Sequence, residues 1–141
     1  MAVKKQMLFA IVCCLCFLSG CSRTDDSEKR QVLYRVVDRI DVSCYRSGTV
    51  QHFSYQTPQK MQLILSYLRQ LEYRGKADTD PERICGDSYQ ITLTASDGTA
   101  CRYRQRADRY LSRDGHPWEN IDPDQARRLY PLLQAMPSDT A

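Results

Sequence analysis

Arg102, Arg104 and Arg106 alternate along one short stretch of the chain, with Arg109 and Arg113 just beyond it. In an extended segment successive side chains point to opposite faces, so these three guanidinium groups fall on one side of a strand. Arginine's planar fork matches phosphate and carboxylate, and the chemistry such a row offers is retention of an anionic polymer, a lipid head group or an acidic protein partner. The plainer reading is a solvated strand face on which Asp108 and Asp114 neutralise part of the field. Trp118, with Tyr103 and Tyr110 nearby, is either cross-strand packing or half of a partner surface. The candidate binding surface is therefore Arg102, Arg104, Arg106 and Trp118.

Hydrolysis or group transfer would need a nucleophile with a base, a metal with ligands, or two carboxylates at a set separation. His52 and His116 are the only histidines. His52 alternates with Phe53 on a strand pattern and His116 adjoins a turn glycine, so both read as surface side chains rather than bases. The chain has no His-Glu-x-x-His, no Gly-x-Ser-x-Gly and no phosphate-cradling glycine loop. Asp97, Asp114 and Asp122 each have a turn or capping role. No catalytic residue and no cofactor is called for.

The first residues carry a different chemistry. Lys4 and Lys5 precede an apolar run over residues 7–18, the first two parts of an export signal. The run is about a dozen residues, well short of the roughly 20 that span a bilayer as a helix. It ends in Leu18-Ser19-Gly20-Cys21, which resembles the lipobox of bacterial lipoproteins. That resemblance implies that a thioether joins diacylglycerol to Cys21 and that a peptidase cuts before it, leaving residues 1–20 as a signal peptide. Two acyl chains hold a protein on a membrane where one would let it go. The expected location is the extracytoplasmic face of the cell membrane; an ordinary secretory signal and an uncleaved apolar tether are the alternatives.

Removal of Lys4 and Lys5 takes two charges from a chain whose formal net charge is +3, so the remainder is close to neutral. Neutrality and export both argue against nucleic acid as a partner. Of seven cysteines, three lie in the signal and Cys21 is the lipid site. Cys44, Cys85 and Cys101 remain, as one disulfide with one thiol left over, as three free thiols, or with His52 or His116 as a zinc site.

The elements that must carry these residues read as one α+β domain over residues 32–136. Residues 21–31 are polar and read as a flexible tether. Ser47-Gly48 reads as a two-residue hairpin turn that sets Val42 opposite Phe53 and Ile40 opposite Tyr55. Thr57 and Pro58 open an amphipathic helix on Met61, Ile64, Leu65, Leu68 and Leu71, with Gly75 as its stop. Asp97-Gly98 reads as a three-residue loop that sets Leu93 opposite Cys101 and Ile91 opposite Tyr103, leaving Thr92, Thr94, Arg102 and Arg104 outside. The same loop type at Arg113-Asp114-Gly115 would bring Tyr110 against Trp118 and make a short edge strand at Pro117. The result is an antiparallel meander of three or four strands. Asp122-Pro123 starts a short C-terminal helix that Pro131 kinks or ends, and residues 137–141 read as a disordered tail.

The paired Asp-Gly turns with an aromatic residue near each end loosely resemble small domains on uncharacterised lipoproteins of Gram-positive bacteria, a resemblance that implies no activity. The function expected on these grounds is a non-catalytic, lipid-anchored binding or accessory module for an envelope protein or an anionic envelope component. An envelope enzyme assembled from scattered residues and a purely structural envelope protein are the rivals.

Overall fold

The computed structural model describes residues 37–139. The expected signal peptide, Cys21, the expected tether and residues 32–36 and 140–141 lie outside the described residues. Strand β1 (Val37–Arg46) turns through Ser47 and Gly48 into β2 (Thr49–Tyr55), pairing Ile40 with Tyr55 and Val42 with Phe53. Both turn residues take positive φ, as a hairpin twisted like its strands requires. Strands β4 (Ser88–Ala95) and β5 (Ala100–Arg106) pair Leu93 with Cys101 and Ile91 with Tyr103 around Gly98, whose φ is 86°. Both registers agree with the turn chemistry of the sequence.

The hairpin and the meander are not separate. β1 pairs antiparallel with β4, and all strands join one antiparallel sheet in the order β2-β1-β4-β5-β6-β7-β3. The fold is α+β, with a seven-stranded sheet in place of a hairpin and a shorter meander. Helix α1 (Pro58–Gln70) buries Met61, Ile64, Leu65, Tyr67 and Leu68 against the sheet face that carries Ile40, Val42, Ile91, Leu93 and Tyr103. At the centre of this core Gln105, 1% exposed, receives the Tyr67 hydroxyl on Oε1 and donates from Nε2 to the Ala126 carbonyl at 3.3 Å. The Tyr67 hydroxyl also reaches that carbonyl at 3.3 Å.

Several elements differ from expectation. Gly75 does not stop the helix, which ends at Gln70 with Leu71 extended beyond it; Gly75 lies inside β3 (Tyr73–Lys76), an unforeseen edge strand. β3 pairs with β7 (Glu119–Ile121) across an irregularity, and the φ of 95° at Gly75 suits that break. β6 (Tyr110–Arg113) pairs Tyr110 with Asn120, so Tyr110 does not face Trp118. Pro117 lies in the connection between β6 and β7, and the two edges of the sheet are β2 and β3. The C-terminal helix is two: α2 (Pro123–Ala126), whose Gln125 amide is capped by Asp122, and α3 (Leu129–Ala135). Pro131 sits in the first turn of α3, where a missing amide costs nothing, and the break falls at Arg127 and Arg128. The Gln125 side chain reaches away from this helix start, its Oε1 accepting from the Glu72 amide at 2.6 Å.

The tail is ordered as far as Asp139. Ser138 Oγ accepts from the Ser54 amide at 3.0 Å, and the Asp139 amide donates to the Ser54 carbonyl at 2.9 Å. Asp139 Oδ2 accepts from the amides of Gln56 and Thr57, both at 2.7 Å, while Oδ1 pairs with Lys60 Nζ at 2.7 Å. The Thr57 hydroxyl makes no capping bond, and the Asp139 carboxylate from the far end of the domain holds instead the two amides just before the helix. The Lys60 bond, then the two amides, hold the Asp139 carboxyl well below its usual range.

The turn between β5 and β6 places Ala107 and Asp108 at φ 53° and 51°, a conformation that side chains with a Cβ adopt at a cost. Burial, then the charge of Asp87, pushes the Asp108 carboxyl upward. A raised folded-state value favours the protonated form, so this group's contribution is complete below the unfolded value and is lost as pH rises through the folded one. Asp108→Asn is expected to be more stable than the parent at about pH 7, with the gain shrinking toward about pH 3, as urea midpoints at the two values would show.

Candidate functional site

The helices cover one face of the sheet, and the other face carries the arginines. On it the registers line up His52, Ser43, Gln90, Arg104 and Ser112 as one row running across β2, β1, β4, β5 and β6. The neighbouring row holds Val50, Tyr45, Ser88, Arg106 and Tyr110. Ser43 Oγ lies 3.0 Å from His52 Nδ1. No carboxylate among the described residues orients that imidazole, and no nucleophile, base and orienting acid come together on this face.

The loop between β3 and β4 folds over part of the arginine face. Its single 3-10 turn (Pro81–Arg83) is capped by Asp80, whose Oδ1 accepts from the Glu82 amide at 3.1 Å. Arg106 holds the loop down, donating from Nε to the Ile84 carbonyl at 3.1 Å and from its terminal nitrogen to the Glu82 carbonyl at 3.3 Å. Thr79 Oγ1 meets the Tyr110 hydroxyl at 3.2 Å. Under this cover Tyr110 is buried, and Ser112, whose Oγ donates to the His116 carbonyl at 3.0 Å in the β6–β7 connection, is buried too, although both belong to the outer face.

What remains open is a groove of about 360 Å³ whose lining includes Tyr45, Gln90, Arg104, Glu82 and Trp118. Tyr45 and Val50, at its far side, are each about half exposed. The Arg104 guanidinium lies 4.9 Å from the centre of the Trp118 ring, and one of its terminal nitrogens donates to Glu82 Oε1 at 2.9 Å. A second, shallower cleft of about 270 Å³ continues past Gln90 and Arg104 to Arg102, Ser112 and Asp114. There Asp114 is tied to the main chain of Arg102, accepting from its amide at 2.9 Å and donating to its carbonyl at 3.0 Å.

The structure thus sorts the sequence candidates. Arg104 and Trp118 come together as one side of the groove, and Arg102 stands exposed in the adjoining cleft. Arg106 points to the same face but is half-buried and spent on loop carbonyls. Glu82, Gln90 and Tyr45 were not singled out in the sequence. Alternation along their strands already placed Gln90 and Tyr45 outward, whereas nothing in the pattern of residues 77–87 put Glu82 beside Arg104.

Cys44, Cys85 and Cys101 are free thiols. Burial first pushes the Cys44 and Cys101 thiols up, away from the reactive thiolate. Among the described residues no cluster of histidine, cysteine and carboxylate side chains could hold a metal ion, and no helix is long and apolar enough to cross a membrane. No family model, curated protein or solved structure matches the chain.

Proposed function

We propose that the protein is a lipid-anchored envelope lipoprotein whose domain is a non-catalytic binding module for an anionic envelope component. The anchor rests on Lys4, Lys5, the apolar run and Leu18-Ser19-Gly20-Cys21. The binding reading rests on one observation: on the sheet face that the helices leave uncovered, Arg104 stands exposed beside Trp118 and Arg102 stands exposed in the adjoining cleft. A guanidinium stacked on an indole keeps its remaining donors in a fixed plane, ready for a planar anion. Both arginines lie close to solvent, so their attraction is screened by salt and suits a polymer met many times over better than a single small anion.

The test is retention of the full detergent-solubilised chain on an immobilised anionic wall polymer. Arg102→Ala combined with Arg104→Ala is expected to lower retention about tenfold or more while far-ultraviolet circular dichroism and the thermal midpoint stay in place. Unchanged retention would remove the arginine face from the function and favour a protein partner elsewhere on the domain.

A further inference from the structure

We propose that the outer groove binds a linear polysaccharide bearing carboxylates, and that Glu82 is a built-in competitor for the site that reads them. This deepens the binding reading above and rests on it. The row His52, Ser43, Gln90, Arg104 gives hydrogen-bonding side chains at successive strands, each about 4.8 Å from the next. Such a track runs across the strands and matches the hydroxyl-studded edge of an extended sugar chain. Tyr45 and Trp118 flank it with aromatic rings, whose faces take the apolar C–H surface of a pyranose ring.

The charge at the end of the track selects the sugar. Arg104 already holds a carboxylate, that of Glu82, through a single bond from one terminal nitrogen to Oε1 at 2.9 Å. A carboxylate that met the guanidinium with both oxygens would make two parallel bonds and displace Glu82. Both partners are about half exposed, so their pairing is weak and readily exchanged. Glu82 rides on the turn that Asp80 caps and Arg106 anchors, which keeps it beside Arg104 while leaving its side chain free to swing out. Arg102, in the adjoining cleft, stands where a further acidic group of the same chain would fall.

The experiment is calorimetric titration of the full chain in detergent micelles with a polygalacturonate oligomer, a neutral glucan oligomer of equal length, and linear polyphosphate. The expected result is binding of the polygalacturonate oligomer with at least about tenfold preference over the glucan. Trp118→Ala and Arg104→Ala should each weaken it about tenfold, and Glu82→Gln should tighten it about threefold or more. Equal affinity for the neutral oligomer, tighter binding of polyphosphate, or a Glu82→Gln variant that binds no better would each overturn the proposal. Loss of wall-polymer retention in the double arginine variant, together with no binding of the polygalacturonate oligomer, would keep the anionic binding module and discard the carboxylated sugar as its ligand.

Discussion

Tyr67→Phe, which removes a single oxygen, is expected to destabilise the domain by about 2 kcal/mol, whereas the larger change Gln105→Leu should cost markedly less. The asymmetry follows from who satisfies whom in the core. With Tyr67 gone, Gln105 Oε1 loses its hydroxyl donor and stays buried at a site 1% exposed. A buried acceptor left without a partner costs about 1–3 kcal/mol. With Gln105 replaced by leucine, the Tyr67 hydroxyl still has the Ala126 carbonyl at 3.3 Å, and that carbonyl still has the hydroxyl. The double variant removes the orphaned Gln105 oxygen but takes both side-chain donors from the buried Ala126 carbonyl, so it should stay about as unstable as Tyr67→Phe instead of showing the sum of the two single losses. Urea unfolding of the four proteins measures the cycle, and additive losses would mean that the two side chains do not act as one network. Burial also pushes the Tyr67 hydroxyl far above its ordinary value, so it stays a donor at any pH the fold survives.

Cys21→Ala should abolish the lipid anchor and leave the signal uncut. Each buried methylene contributes about 0.8 kcal/mol to membrane attachment, and the two acyl chains expected on the Cys21 thioether would sum to an anchor that no surface of a near-neutral domain replaces. Fractionation of cells and the mass of the isolated protein read the outcome together: the parent is expected in the membrane fraction with its signal removed and a diacylglycerol added, the variant without either. A variant that stays membrane-bound with unchanged mass would mean that the apolar run itself is the tether.

What could be read in advance was whatever local chemistry determines. Ser47-Gly48 and Asp97-Gly98 fixed two registers because a one-residue slip would have turned Ile40, Val42, Ile91 and Leu93 to water. The outward direction of Arg102, Arg104 and Arg106 came from the same alternation. β3 was invisible because Tyr73-Arg74-Gly75-Lys76 is exposed at every position and offers no apolar period; its place is set by Asp122 and Gln125, which bond Arg74 and the Glu72 amide from the other end of the chain. Trp118 was assigned to a strand that Pro117 displaced, so the partner it found was Arg104 rather than Tyr110. Glu82 depends on where an eleven-residue connection, residues 77–87, crosses the sheet, and that is decided by Arg106 and Tyr110 at a distance.

The bond between Ser54 and Ser138 joins residues 84 apart in sequence. Contacts of such separation close late, because the intervening chain must be ordered before the loop entropy they cost is recovered. Until then the Ser54 amide and carbonyl on the outer edge of β2 are unblocked. Ser138 and Asp139 close only the Ser54 end of that edge, and the rest of β2 stays an outer edge of the finished sheet, open to pairing with another chain. Docking of the tail thus shortens the strand edge that another chain could extend, without removing it.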